Sequence, residues 1–109
     1  GYEHFDAKGK TPKGFDCVIE MKFRNKYYEE KLLEKYKYDQ LMLMDKDIVK
    51  LYFINDPKVN CLFWLNDIKM PDTKDMWCPD TTFWNNKKVK KPCYLLPENI
   101  ASIINRNDE

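Results

Sequence analysis

At 109 residues the chain has room for one domain with a single modest core. Its 43% hydrophobic and 15% aromatic content suffices for folding although 34% of residues are charged. A formal charge of +1 excludes arguing a nucleic-acid partner from net charge, so such a site has to be a local basic patch. No apolar run approaches the roughly 20 residues of a transmembrane helix and no signal-peptide pattern opens the chain, so a cytoplasmic protein with no membrane partner is expected.

Tyr2 to Ala7 reads as a short strand, and Lys8 to Gly14, with two glycines and a proline, as a turn. The most informative stretch follows, Phe15 to Arg24. Cys17, Ile19, Met21 and Phe23 alternate there with Asp16, Val18, Glu20, Lys22 and Arg24, which is the period of a β-strand. One face is apolar and the other carries a carboxylate, an ammonium and a guanidinium in succession. Glu20 and Lys22 lie roughly 6.6 Å apart along such a strand, near enough to act on one phosphate and its metal ion. A hairpin turning near Pro12 brings Asp6 opposite Val18 or within two residues of it, in reach of Glu20. Asp16, roughly 13 Å from Glu20 along the strand, is too distant to share an ion and reads as a strand-end residue.

Lys26 to Met44 is the strongest helix pattern: Leu33, Tyr36, Gln40 and Leu43 recur at helical spacing and no Gly or Pro interrupts. Ile48 to Ile54 is nearly all apolar, as expected of a strand buried on both faces. Strand, helix and buried strand in this order predict a right-handed crossover and a parallel pair. Asn55 to Lys58 is a turn and Val59 to Leu65 a further strand. Asn66 to Asp80 reads as irregular, with Pro71 and Pro79. Thr81 to Trp84 and Lys87 to Lys91 form a second hairpin about Asn85-Asn86, and Pro97 to Arg106 a short closing helix.

Cys17, Cys61, Cys78 and Cys93 include no Cys-x-x-Cys pair, and His4 is the sole histidine, so zinc-ligand spacing is missing. They read as reduced structural thiols of an intracellular protein, with a disulfide pair as the alternative. Lys8, Lys10 and Lys13 in the first turn, with Arg24, form a candidate nucleic-acid-binding set. Lys87, Lys88, Lys90 and Lys91 read equally well as phosphate contacts or as guards of an edge strand. Trp64, Trp77 and Trp84, with Phe83, are candidates for core packing or for stacking on bases.

Asp6 with Glu20-Met21-Lys22, set on a hairpin that a helix and a buried strand follow, resembles the PD-(D/E)xK nuclease superfamily, in a RecB-type or phage-type form. The resemblance covers Tyr2 to Ile54, and Phe5 stands where the family has proline. It implies an α/β fold with a mixed sheet and a restriction-endonuclease-like core, and a nuclease that hydrolyses DNA with a metal-activated water. Asp6, Glu20 and the Met21 carbonyl would hold Mg²⁺ or Mn²⁺, Lys22 would assist catalysis, and Gln40 would support the site, although Met44 stands where a tyrosine is common. The alternative is a nuclease-like module that binds nucleic acid or protein without cutting. The family core begins with a helix and a strand ahead of the Asp-bearing strand, and only five residues precede Asp6 here. The resemblance therefore implies a fragment, a trimmed fold, or a homodimer or partner chain that supplies those elements.

Overall fold

A computed structural model describes residues 5–79 and 87–107. They form a small α/β fold, mostly strand, with two sheets and one helix. Strands β1 (Ala7–Lys10), β2 (Asp16–Phe23), β4 (Val49–Asn55), β5 (Val59–Trp64) and β8 (Ile103–Arg106) make a five-stranded mixed sheet in the order β1-β2-β4-β5-β8. Strands β3 (Glu30–Glu34), β7 (Lys88–Pro97) and β6 (Lys74–Pro79) make a second sheet in the order β3-β7-β6. The helix α1 (Lys35–Met42) follows β3 directly.

The first hairpin forms, but its first strand, Ala7–Lys10, lies within the stretch expected to be turn, and the turn shortens to Thr11–Gly14; of the strand expected over Tyr2 to Ala7, residues 2–4 lie outside the described residues. Thr11 Oγ1 accepts from the Phe15 amide at 3.1 Å and the Thr11 carbonyl accepts from the Gly14 amide at 2.8 Å. Gly14 has φ 88°, where a Cβ is strained. Ala7 pairs with Ile19, so Asp6, one residue further out, comes alongside Glu20. The expected parallel pair is present, with Val18, Glu20 and Lys22 of β2 beside Lys50, Tyr52 and Ile54 of β4. Paired positions share a face. The face that carries the charges therefore continues into the main core of Val18, Tyr52, Ile54, Cys61 and Phe63, packed on Leu33, Leu41, Tyr94 and Leu96. The other face bears a separate apolar set, Cys17, Val49 and Leu51 with Ile19, Leu62 and Trp64 packed against them.

Three further expected elements differ. The helix over Lys26 to Met44 is a strand followed by an eight-residue helix, because β3 pairs antiparallel with β7 and sends its leucines to opposite sides. Leu33 joins the main core and Leu32 joins Cys78 and Cys93, and side chains reach opposite sides at consecutive positions in a strand. The stretch read as irregular holds β6, which forms the second hairpin by pairing with β7, Lys74 opposite Cys93 and Pro79 opposite Lys88. Of the strands proposed for that hairpin, Thr81 to Trp84 and the Asn85-Asn86 turn lie outside the described residues. The closing helix shrinks to one 3-10 turn, Glu98–Ile100, before β8, since pairing with β5 satisfies the backbone of β-branched Ile103 and Ile104. Strand β7 is flanked on both sides only over Cys93–Pro97, where β3 joins it; over Lys88–Pro92 it pairs with β6 alone, so Lys88, Lys90 and Lys91 lie on a stretch with one open edge. All four cysteines are buried free thiols, with Sγ of Cys78 and Cys93 3.5 Å apart. Among the described residues no helix is long and apolar enough to cross a membrane.

Charge is buried between the sheets, and it is paired. Lys31 of β3 is 1% exposed and donates from Nζ to Asp56 Oδ2 at 2.8 Å and to the Tyr28 carbonyl. Glu98 Oε2 lies 3.5 Å from the same ammonium, and its carboxylate also accepts from Tyr27 at 3.0 Å and Arg106 at 2.6 Å. Burial pushes both carboxyls upward. The Lys31 and backbone hydrogen bonds at Asp56, and the Arg106 and Tyr27 bonds at Glu98, outweigh it and hold each below the usual carboxylate range. Lys50, also 1% exposed, donates to the Asp45 carbonyl at 2.6 Å just past α1.

Lys31→Ala, which leaves the buried Asp56 carboxylate without its cation, is expected to cost about 3–5 kcal/mol in chemical denaturation, whereas Lys10→Ala, which breaks the exposed pair with Asp16, costs less than about 1 kcal/mol. The depressed carboxyls stabilise the fold above their unfolded pKa and lose that contribution as pH falls through the folded values. The gap between wild type and Lys31→Ala should therefore narrow on acidification.

Candidate active site

The hairpin and the crossover together place the candidate acids. The Asp6 amide donates to the Ile19 carbonyl at 2.9 Å, and Asp6 Oδ2 accepts from the Met21 amide at 2.8 Å. These two bonds hold the Asp6 carboxylate against β2 beside Glu20. Glu20 is only 7% exposed because Tyr52 of β4 stands at the paired position and α1 covers that side. Burial raises the Glu20 carboxyl above its ordinary value. Lys37 opposes the rise, and the negative charge of Asp6 adds to it.

Lys37, reached from α1, sets its Nζ 3.3 Å from Glu20 Oε1 and 3.8 Å from Glu34 Oε2. Lys91 of β7 lies 3.4 Å from Glu34 Oε1. Glu20, Lys37, Glu34 and Lys91 thus form an alternating line of charge between the two sheets. Lys22 is half-buried one strand period beyond Glu20 on the same face. Burial lowers the pKa of its ammonium, and the nearby positive charges of Lys37 and Arg24 lower it further, against Glu34 and Cys78. Asp6, Glu20, Met21 and Lys22 are therefore brought together as expected.

Gln40 sits on α1 three residues after Lys37, and among the described residues no hydrogen bond links it to Asp6, Glu20 or Lys22. Lys8 and Lys10 pair with Val18 and Asp16, so they share the face of Glu20. Lys10 is held by Asp16 at 2.6 Å, and Lys13 is exposed in the turn. Arg24 stacks its guanidinium 4.6 Å from the Tyr28 ring centroid. It is eight residues from Asp16, roughly 26 Å along a strand, so the expected basic set divides into two patches at opposite ends of β2. Trp64 packs on the second apolar face and Trp77 is 63% exposed, while Phe83 and Trp84 lie outside the described residues.

Glu34, Lys37 and Lys91 were not expected at the site. Glu34 and Lys37 fall within the stretch that reads as a continuous helix, and Lys91 within a run that reads as surface charge. The available signal was Lys31-Leu32-Leu33-Glu34, where charges bracket two leucines that a strand sends to opposite sides.

Two repelling carboxylates on adjacent strands, one of them buried, suit a small divalent cation that takes hard oxygen donors. Among the described residues no group of three or more His, Cys, Asp or Glu side chains is placed to hold a metal ion. A cation held by Asp6 and Glu20 would therefore complete its shell with water, phosphate or main-chain oxygen, the Met21 carbonyl being the nearest candidate.

Comparison with known protein families, curated proteins and solved structures finds no match.

Asp6→Asn removes the like charge and should move the Glu20 carboxyl downward toward its ordinary value. Lys37→Met removes the opposing cation and should move it further up. Carbon-detected NMR titration of the Glu20 carboxyl reads both directions, and no movement in either variant would separate these groups.

Proposed function

We propose that the chain is a Mg²⁺-dependent nuclease acting on DNA, with Asp6 and Glu20 as the metal-holding acids and Lys22 as the catalytic amine. The observation that carries the reading is the Asp6 carboxylate bonded to the Met21 amide at 2.8 Å, on a hairpin whose second strand runs parallel to the strand after the crossover. That arrangement is the one the PD-(D/E)xK resemblance calls for: Glu20 and Lys22 share a sheet face by strand alternation, and the Asp6 charge is near enough to push the Glu20 carboxyl upward. When bound, the ion neutralises phosphate charge and acidifies water. Lys22 presents its amine to the negative charge that develops on the phosphate, in a half-buried setting where such a contact is stronger than in water. Burial also raises the proton affinity of Glu20, so binding of a metal cation, which needs its charged form, competes with both a proton and Lys37.

A second reading, a nuclease-like module that binds nucleic acid without cutting it, is favoured by the Lys37–Glu20 ion pair at 3.3 Å, which already neutralises one of the two acids. Lys37 separates the readings. In the catalytic one Lys37→Ala frees Glu20 and tightens Mg²⁺ binding measured by calorimetry, while Asp6→Ala or Glu20→Ala weakens it. In the binding reading none of these changes alters divalent-ion affinity.

Incubation with supercoiled and linear DNA in Mg²⁺ or Mn²⁺ should give cleavage that Lys22→Ala reduces by about 10²–10³-fold, with the circular dichroism spectrum unchanged. Cleavage at the wild-type rate in Lys22→Ala would remove Lys22 from the mechanism, and salt-sensitive binding without cleavage by the wild type would select the module.

A further inference from the structure

At the Arg24 end of β2 the two sheets border an open cleft of about 550 Å³. Lys22, Arg24 and Lys88 line it with cations, Phe23 and Trp77 with aromatic rings, and Asn25 with an amide. Among the described residues no carboxylate lines it. The two rings are the notable part. Phe23 is 68% and Trp77 63% exposed, a large apolar area left in water at the margins of two different sheets. Lys90 stands 5.4 Å from the centre of the Trp77 ring and leaves that indole as a cation-flanked platform. Lys22 belongs both to this cleft and to the face that carries Asp6 and Glu20.

A ligand that satisfies all of this has a flat apolar face and a closely attached anion. It also continues as a chain toward Lys22. A nucleotide within a single strand meets each requirement: its base stacks on an aromatic ring, its phosphate meets Arg24 and Lys88, and the next phosphate approaches Lys22. The volume is within the range of a small-molecule pocket. Bases of a duplex are already stacked on their neighbours, so duplex DNA offers the cleft its phosphates and nothing for the indole.

We propose that this cleft holds one unpaired nucleotide of single-stranded DNA stacked on Trp77, so that the strand acted on at Lys22 is single-stranded on that side. The inference rests on the nuclease reading for what happens at Lys22, but the binding it describes requires neither metal nor cleavage.

Binding is measured by fluorescence anisotropy of a labelled thymidine 12-mer, and of a 12-base-pair duplex, in EDTA. Trp77→Ala should weaken single-strand binding about 5- to 150-fold and leave duplex binding unchanged, while Trp77→Phe, which keeps a ring, should retain most of the affinity. Lys88→Ala should lower the slope of log affinity against log salt by about 0.7 on the single strand. Wild-type single-strand affinity in Trp77→Ala, or equal losses on both DNAs, would overturn the proposal. Stacking that depends on Trp77 in a protein that never cleaves DNA would retain the cleft and discard the nuclease. Cleavage that depends on Lys22, with binding indifferent to Trp77, would do the reverse.

Discussion

The ammonium of Lys31 is the fastening on which the two-sheet arrangement depends. It stands on β3, in one sheet, and reaches Asp56 in the turn between β4 and β5 of the other. An ammonium taken out of water costs several kcal/mol unless an opposite charge and further acceptors meet it. Asp56, Glu98 and the Tyr28 carbonyl meet it here. Each of those groups is in turn tied down: Asp56 accepts from the amides of Lys58 and Val59, and Glu98 from Tyr27 and Arg106. The turn after β4, the 3-10 turn before β8 and the start of β3 are thus held at one point. Tyr52 adds a neutral tie, its hydroxyl donating to the Leu32 carbonyl across the same gap.

Once the sheets are fastened there, the charged side of β2 has to face the second sheet. Glu20 and Lys22 then share the gap with Glu34, Lys37 and Lys91, and their proton affinities follow from that position. A carboxyl that resists ionising beside an amine that resists protonation makes a site with functional potential, because each group gains from a ligand that supplies the missing charge. On the proposed reading a divalent ion would do so for Glu20 and a phosphate for Lys22. The same closeness of β2 to β6 and β7 leaves Trp77 beside the cations at the strand's end. The structural device that buries charge and the proposed chemistry therefore have one origin, the placement of a short three-stranded sheet over a charged strand.

Strand β2, its hairpin partner, the crossover and the two strands after it were legible in the sequence because each depends on local pattern. Period-two alternation over Asp16–Phe23, turn residues around Gly14 and an apolar run at Val49–Asn55 need no knowledge of distant segments. The juxtaposition of Asp6 with Glu20 followed from hairpin geometry alone. The second sheet was not legible. The leucines of β3 fit a helical repeat as well as a strand, and the choice between them is made by β7, some sixty residues later. Strand β6 was hidden for the same reason, since a stretch bearing prolines and charge becomes a strand only when Lys88 to Cys93 pairs with it.

The sequence by itself determined the hairpin and the parallel pair, because short-range periodicity and turn chemistry decide such features. Only the tertiary structure decided that the charged face of β2 is covered rather than solvated, that Lys37 reaches Glu20, and that Trp77 stays exposed beside Arg24. Those outcomes depend on long-range pairing and on where buried charge finds its partner, and neither is written in any local stretch of the chain.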